Sequence, residues 1–466
     1  MKSNKQHEID MLHDPLLPRL IIFAIPLVLS GVLQLLFNAA DIVVIGHYGS
    51  EHALSAVGAT SSLINLMITL FIGVSVGASV LMGRMIGSQD LQGARDCLHT
   101  ALAFSMLAGF VMIILGQIAT EPLLRMMETP EEVLPLAARY MHIYFLGMPG
   151  MMIYNFGSAI LRAVGDTRRP LYFISVSGLF NVVGNLFFVL VLKMDVAGVA
   201  TATILGQYVA AFFIILSLRH SENYLQLDWL ELRINPRKLL EMLRIGLPAG
   251  VQGAVFSISN VLVQSSVNSF GSIVMAGSTA SSNIEGFIYI AMNAFYQACM
   301  AFTAQNYGAK KYRRIDKILI NCFLLVTVIG LVLGLGTYLL GSDALGIYTS
   351  DPAKIEFGLQ RLAIIATLQF TCGWMEVLCG SLRGVGYSIS PMIITLLGAC
   401  MLRIVWIGTV FQWHRDIQTL YLCYPVSWFV TAIMHSIFYL VIRQKKLKKL
   451  MREEREREEF FNEVAA

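Results

Sequence analysis

Four ionisable side chains interrupt stretches of the chain that are otherwise apolar: Asp41, Glu285, Glu376 and Arg403. An acid in such a setting can take up and release a proton or bind a cation, whereas an arginine can hold a carboxylate. A charge at the centre of a membrane helix costs about 2.5–3.5 kcal/mol, so each residue needs either a function or a partner if these stretches lie in a bilayer. For Arg403 we expect a structural partner, and Glu376 is the nearest candidate.

The composition places these stretches in a bilayer. Of the 466 residues, 56% are hydrophobic and 14% are charged, whereas an average soluble domain carries about 25% charged residues. So little charge cannot cover a soluble surface, and much of the surface must therefore face lipid. Charge-poor stretches of about 20 residues, long enough to cross ~30 Å of hydrocarbon, number twelve: 20–45, 53–83, 97–120, 140–161, 170–192, 196–218, 245–270, 273–305, 318–342, 357–382, 391–413 and 419–442.

Each of these segments must be helical, because no water reaches the backbone in the hydrocarbon core. The predicted fold is therefore an all-α integral membrane protein with twelve transmembrane helices.

The spans contain no HExxH motif, P-loop or Ser/His/Asp set, and the cysteines lack the spacing of a metal site or disulfide framework. We expect no enzymatic activity and no bound cofactor. The charged tail from residue 443 is typical of a solvated helix that touches anionic lipid, and we expect no nucleic-acid partner.

The basic residues alternate along the chain. Of the 34 Lys and Arg residues, 27 lie in the N-terminal segment, in every second loop and in the tail, six lie in the other loops, and Arg403 lies within a span. Loops rich in basic residues stay on the cytoplasmic side, so we expect a multi-pass protein of the cell membrane with both termini in the cytoplasm. The segment 1–19 lacks the features of a signal peptide. Arg361 should lie near the outer surface and snorkel there.

The chain repeats itself at an offset of about 221 residues. The segment 161–170, LRAVGDTRRP, recurs as 382–391, LRGVGYSISP, and Pro26 corresponds to Pro248. Six spans per half is an even number, so the halves share one orientation and should be related by an axis along the membrane normal. We predict a cytoplasmic N-terminal segment 1–19, a six-helix lobe 20–218, a cytoplasmic linker 219–244, a six-helix lobe 245–442 and a charged cytoplasmic tail 443–466.

Two facing lobes would enclose a cleft, and rocking them would expose it to alternate sides of the membrane. The repeat places Asn65 at the position of Glu285, and Asn155 at that of Glu376. A polar residue at matching positions in both lobes is expected where the positions face a shared cavity. The alternative for each acid is a carboxyl group kept neutral by burial or paired for structure.

The two LRxVG loops resemble those of the multidrug and toxic compound extrusion (MATE) family. So does the first span, with Ile25-Pro26, then Asn38-Ala39-Ala40-Asp41 and then Gly46-His47-Tyr48-Gly49. The resemblance covers all twelve spans, roughly residues 15 to 445. It implies two six-helix bundles that form a V-shaped cavity. It also implies export of organic, mostly cationic, compounds driven by inward flow of Na⁺ or H⁺.

The resemblance assigns cation coupling to five residues. Asp41 matches the family's first-helix acid, with Asn38 one turn before it. Asn181 matches an asparagine of the fifth span, and Thr203 matches the threonine of a GxAxAT-like stretch. Asn185 stands where many members have a second aspartate. This substitution leaves fewer hard ligands for Na⁺, so we favour H⁺ as the coupling ion and keep Na⁺ near Asp41 as the alternative.

Two positions depart from one branch of the family. Phe256 stands where that branch has a coupling glutamate, and the branch's aspartate in the tenth span falls at Cys372. Arg403 is assigned a structural or coupling role. To the substrate cavity we assign Gln34, Asn65, Asn155, Phe256, Glu285 and Glu376.

These assignments predict a secondary active antiporter that exports organic compounds and acts as a monomer, with small molecules and the lipid bilayer as its partners. The alternative is a flippase for a lipid-linked precursor, whose pyrophosphate would require several Arg or Lys residues in the cavity. The charges within the spans are three acids against Arg403. This net acidic set favours a cationic substrate.

Overall fold

The computed structural model describes residues 8–50, 52–221 and 225–465, except for the side chains of 62, 458 and 461–465, and these residues form helices and no strand. The first half contains α1 (Leu16–Tyr48), α2 (Ala53–Gly87), α3 (Leu91–Met126), α4 (Leu134–Leu146), α5 (Met148–Ala163), α6 (Arg168–Asn185), the π-helical segment Leu186–Val191 and α7 (Val196–Arg219), followed by a 3₁₀ turn, Trp229–Glu231.

The second half contains three further π-helical segments. Its elements are α8 (Pro236–Asn268), α9 (Ser272–Gly308), α10 (Tyr312–Leu339), α11 (Gly341–Gly346), α12 (Pro352–Arg361), the π segment Leu362–Ala366, α13 (Phe370–Val385), α14 (Ile389–Thr395), the π segment Leu396–Met401, α15 (Leu402–Gly408), α16 (Val410–Trp413), α17 (Ile417–Ile442), the π segment Arg443–Leu447 and α18 (Lys448–Ala465).

Eleven helical stretches of the described residues are long and apolar enough to cross a membrane. The remaining predicted span, 140–161, corresponds to α4 and α5, which are 13 and 16 residues long and are separated at Gly147. Pro149 lies in the first turn of α5, where a missing backbone donor is tolerated but the preceding helix cannot continue undisturbed. The prediction of an all-α integral membrane protein is confirmed.

The repeated LRxVG motif ends a helix in both halves. Gly165 and Gly386 have φ values of +94° and +99°, the left-handed conformation that favours glycine. Asp166 N donates to Leu161 O, and Tyr387 N donates to Leu382 O, each at 2.9 Å. These are the backbone bonds of a glycine helix cap. The motif therefore recurs because α5 and α13 need the same termination.

The helices pack into two compact units. The first unit contains Leu29–Met85 and Asp90–Gly250, and the second contains Asp10–Val28, Ile86–Gln89 and the chain from Val251 onward. Helices α1 and α8 are thus each divided between the units. The lobes 20–218 and 245–442 were defined by the repeat and not by packing, and they remain a prediction.

A proline precedes each of these divisions. Pro26 lies inside α1 and Pro248 lies inside α8, each two residues before the point where its helix passes from one unit to the other. Proline removes a backbone donor and clashes with the preceding turn, which allows a helix to bend. Both halves of the repeat therefore contain a proline close to the point where the helix, α1 or α8, passes from one packing unit to the other.

The chain after α7 packs on α3 within the first unit. Asp228 N donates to His99 Nε2, and Asn235 N donates to Thr100 Oγ1, both at 3.1 Å. Arg95 forms a 2.7 Å ion pair with Glu231. The described part of the predicted linker is therefore held by specific hydrogen bonds.

Candidate coupling site and buried charges

Three helices of the first unit bring together four of the predicted coupling residues. Asn181 and Asn185 are one turn apart on α6, so their side chains share a face. Asn185 Nδ2 donates a hydrogen bond to Asp41 Oδ1 on α1, and Asn181 Nδ2 donates to Thr203 Oγ1 on α7 at 3.2 Å. Thr203 Oγ1 lies 3.5 Å from Asp41 Oδ2. Residues 162 positions apart along the chain thus form one polar cluster.

The two carboxylate oxygens of Asp41 are held unequally. A hydroxyl group has one proton to donate, and Thr203 Oγ1 lies closer to the carbonyl oxygen of Val199, at 2.9 Å, than to Asp41 Oδ2. In the described part of the chain Asp41 forms no ion pair with a basic side chain. Asn185 Oδ1 is buried and has no hydrogen-bond partner among the described residues. The cluster therefore has oxygen acceptors for a proton or a small cation.

The other polar residues predicted for this half do not join the cluster. Asn38, Gln34 and Asn65 are exposed. Asn155 is half-buried, and its Nδ2 donates to Met151 O on its own helix at 2.9 Å. The assignment of Asn38 to coupling and of the other three to a cavity remains a prediction.

Glu285 has an arginine partner inside the second unit. Arg361 Nε and Nη2 donate to its two carboxylate oxygens at 2.9 and 2.8 Å, and Arg361 Nη1 donates to Ser278 Oγ at 3.0 Å. The exposed fraction is 6% for Glu285 and 4% for Arg361. The prediction that Arg361 snorkels to the outer surface was wrong, because α12 packs on α9 and turns the arginine toward Glu285. This geometry supports a structural role for Glu285.

Arg403 has neutral partners instead of the expected carboxylate. Its Nε donates to Ser427 Oγ on α17 at 2.9 Å, and its Nη1 donates to Asn260 Oδ1 on α8 at 2.7 Å. Within the described residues it forms no ion pair with Glu376. The predicted pair was therefore wrong: the fold directs two nitrogens of Arg403 to α17 and α8, whereas Glu376 lies on α13.

Aromatic rings surround the Arg403 guanidinium. Its Cζ lies 4.5 Å from the ring centre of Tyr424, 4.9 Å from that of Phe256 and 5.8 Å from that of Trp428. The negative face of an aromatic ring attracts a cation. Phe256, assigned to the cavity because the resemblance places a family acid there, therefore contacts a buried arginine.

Glu376 is half-buried on α13, and in the described part of the chain it forms no ion pair. Arg383, the second residue of the repeated LRxVG motif, donates to Tyr296 Oη at 2.6 Å and to Gln252 Oε1 at 2.8 Å. The predicted span 357–382 ends just before Arg383, although the position of Arg383 in the repeated LRxVG motif indicated a specific role. Tyr424 had no such signal, because an aromatic residue in an apolar span resembles any other core residue.

Comparison with known proteins gives one family. The family model MatE matches residues 26–187 and 248–407, once in each half of the chain. The probable multidrug resistance protein YoeA of Bacillus subtilis is 26% identical over 436 residues, which cover 91% of this chain and 94% of that protein. YpnP of the same organism, also a probable multidrug resistance protein, is 27% identical and covers 94% and 98%. An FAD transporter of Shewanella oneidensis is 24% identical and covers 89% and 92%.

A solved structure shares the fold. It is described as the outward-facing conformation of a multidrug resistance MATE family transporter of the MOP superfamily. It superposes with a TM-score of 0.87 at 20% identity, and the match covers 96% of this chain and 99% of that one. The similarity extends over both halves of the protein.

Proposed function

Since the chain belongs to the MATE family of membrane transporters, we propose that it is a secondary active multidrug efflux antiporter. It exports organic, mostly cationic, compounds across the plasma membrane by alternating access, driven by inward flow of H⁺ or Na⁺. The observation that carries the proposal is Asp41, a carboxylate within a span that is held by Asn185 and has no basic partner in the described part of the chain. A carboxylate in this position can exchange its ion with the solvent.

H⁺ is the coupling ion that we favour. Asp41 is the one carboxylate of the cluster, because Asn185 stands in place of a second acid. A protonated Asp41 could donate to Thr203 Oγ1, whose own proton has a nearer acceptor in Val199 O. Protonation would thus satisfy an oxygen that the ionised cluster leaves weakly bonded. Na⁺ would instead take the oxygens of Asp41, Asn181, Asn185 and Thr203 as ligands.

Transport by the purified protein in proteoliposomes tests the proposal. A fluorescent organic cation is supplied, and Na⁺ and pH gradients are imposed separately at fixed voltage. We expect accumulation of the cation to follow the pH gradient. Transport that follows Na⁺ alone would replace H⁺ by Na⁺ as the coupling ion, and transport that follows neither gradient would contradict the antiport proposal.

The change Asp41→Asn tests the role of the cluster. The substitution keeps the size of the side chain and removes its charge, so we expect gradient-driven efflux to be abolished while the amount of protein in the membrane is unchanged. Glu356→Gln is the matched control, since Glu356 is an exposed carboxylate of α12. Efflux by the Asp41→Asn variant at the rate of the control would exclude Asp41 as the coupling residue.

The pairing of Glu285 with Arg361 weakens the charge argument against the flippase alternative. Because Glu285 is neutralised by Arg361, the unpaired charges within the spans are reduced to Asp41 and Glu376 against Arg403. The balance is still acidic, and it supports a cationic substrate over a pyrophosphate. Arg403 is buried and has no carboxylate partner among the described residues.

A further inference from the structure

Arg403 carries an uncompensated charge in the interior of the second unit. Its exposed fraction is 0%, and in the described part of the chain it binds the neutral oxygens of Ser427 and Asn260 and no carboxylate. Arg361, by contrast, is neutralised by Glu285 through two hydrogen bonds. A buried charge without a partner is strongly unfavourable, and proteins normally pair such charges.

Two hydrogen-bond donors at this position also have no acceptor. Arg403 Nη2 and Trp428 Nε1 are both buried and without a partner among the described residues, and Arg403 Cζ lies 5.8 Å from the centre of the Trp428 ring. The ring faces of Phe256, Tyr424 and Trp428 attract the cation, but an N–H···π contact is only a weak hydrogen bond. The group that would satisfy both donors is an acceptor with negative charge.

We propose that Arg403 and Trp428 form a binding site for a monovalent anion, either free chloride or the carboxylate group of a transported compound. Arg403 Nη2 and Trp428 Nε1 donate to the anion, and the surrounding rings exclude water and larger hydrophilic ions. One positive charge without a partner calls for one negative charge. Water would satisfy the donors but would leave the charge of Arg403 uncompensated.

A second guanidinium group lies close to the same aromatic ring. The ring centre of Tyr424 is 4.5 Å from Arg403 Cζ and 5.6 Å from Arg361 Cζ. Glu285 neutralises Arg361 through two hydrogen bonds, whereas Arg403 has no carboxylate partner among the described residues. Arg403 is therefore the group that would attract an anion at this position.

Binding is tested on the purified full-length protein, and this arm does not depend on the proposed function. The midpoint of thermal unfolding is measured while sodium gluconate is replaced by sodium chloride, or by sodium benzoate, at constant ionic strength. Gluconate is the reference anion that we expect not to bind, because its hydroxyl groups would lose their hydrogen bonds to water among aromatic rings. We expect chloride, benzoate or both to raise the midpoint in a saturable manner. A response to benzoate alone identifies the carboxylate as the ligand, and a response to chloride identifies the free anion.

The variant Trp428→Phe keeps an aromatic ring beside Arg403 and removes the indole N–H donor. A hydrogen bond to a charged group contributes enough that we expect anion affinity to fall about tenfold. Trp406→Phe is the matched control, since Trp406 Nε1 already donates to Thr419 O at 2.9 Å, and its anion affinity should equal that of the wild type. Arg403→Met should abolish the response. No saturable response in the wild type, or an equal response in Trp428→Phe, would overturn the site.

A transport arm links the site to substrates, and it rests on the proposed function. A fluorescent aromatic amine that bears a carboxylate is compared with its methyl ester in proteoliposomes. If the site holds the substrate's carboxylate, Trp428→Phe should lower export of the acid and leave export of the ester unchanged. Gradient-driven export of neither compound would contradict the antiporter. Export of both compounds with equal loss in Trp428→Phe would contradict the carboxylate as ligand.

Discussion

Asp41 and Glu285 are both carboxylates within apolar helices, yet among the described residues only Glu285 binds an arginine. A bidentate pair with Arg361 neutralises Glu285, so its charge cannot be released without a large cost. Asp41 is bonded to an amide and lies near a hydroxyl group, both of which are neutral. The same side-chain chemistry thus supports a structural role in one unit and an exchangeable charge in the other.

The Glu285–Arg361 pair should be detectable in a double-mutant cycle. Removing one partner of a buried pair leaves an uncompensated charge, so Glu285→Gln and Arg361→Met should each lower the free energy of unfolding by about 3–5 kcal/mol. The double variant should recover much of that loss, because it leaves no unpaired charge. The measurement is equilibrium unfolding in detergent.

An exposed pair provides the control for this cycle. Arg125 and Glu131 are 3.0 Å apart, with side chains that are 57% and 80% exposed. Breaking it should cost about 0.2–1 kcal/mol, since water screens the charges. Losses at Glu285 and Arg361 that are as small as this, or that add in the double variant, would show that the buried pair is not formed.

Glu376 should behave differently from Glu285. It has no basic partner within bonding distance in the described part of the chain, so Glu376→Gln should leave the unfolding midpoint unchanged. If its carboxylate faces the substrate cavity, the same change should weaken the binding of organic cations. Equilibrium binding of a fluorescent cation measures this, and unchanged affinity would remove Glu376 from the cavity.

Three of the π-helical segments adjoin polar residues described above. Asn185 directly precedes the π segment Leu186–Val191, Arg361 directly precedes Leu362–Ala366, and Arg403 follows Leu396–Met401 by two residues. A π-helical turn rotates the side chains that follow it and is frequent at functional sites. Of these three residues, Arg403 lies beyond its segment, so the π turn contributes to the direction in which Arg403 points.

The close approach of α10 to Ala366 at Gly334 leads to a testable prediction. A Cβ atom at Gly334 would lie 2.2 Å from the carbonyl oxygen of Ala366, whereas one at Gly336 would meet nothing within 4 Å. Gly334→Ala should therefore force the helices apart and lower the free energy of unfolding by about 1–3 kcal/mol. Gly336→Ala is the control and should be neutral or slightly stabilising. Equal stabilities of the two variants would show that α10 does not approach Ala366 so closely.

The two halves of the molecule repeat their architecture but not their charges. Both contain a proline in the helix that changes its packing unit, and both end a helix with glycine at the LRxVG motif. Among the described residues, the first unit has Asp41 as an acid without a basic partner, whereas the second has Glu376 without a basic partner and the buried Arg403 without a carboxylate. The repeat therefore preserves the features that shape the backbone, while the polar sites have diverged.

The orientation of the whole protein is a further prediction. Because basic loops remain in the cytoplasm, a tag inserted after Gln89 or placed on the tail should be labelled only once the cells are permeabilised. A tag inserted after Glu128, between α3 and α4, should be labelled in intact cells. The reverse pattern would place both termini outside.

The chain's amino-acid pattern alone determined the membrane class, the helical fold and the repeat. These follow from local physics: a bilayer requires long apolar helices, and a helix cap requires glycine at a particular position. The family's motifs also pointed to Asp41, Asn181, Asn185 and Thr203, and the fold brings these four together. The spacing of Asn181 and Asn185 along α6 was readable, because residues one turn apart share a face.

The tertiary structure decided which side chains of distant helices bind one another. The sequence suggested Glu376 for Arg403 and the outer surface for Arg361, and both suggestions were wrong. The depth of a residue in the membrane can be estimated from its position along a helix. The rotation of the helix about its axis and the helices that neighbour it cannot be estimated in this way. A π segment adds to the rotation of the side chains beyond it, and Arg403 lies beyond such a segment. The pairing of Arg361 with Glu285, and the aromatic surroundings of Arg403, therefore depend on packing that no local pattern encodes.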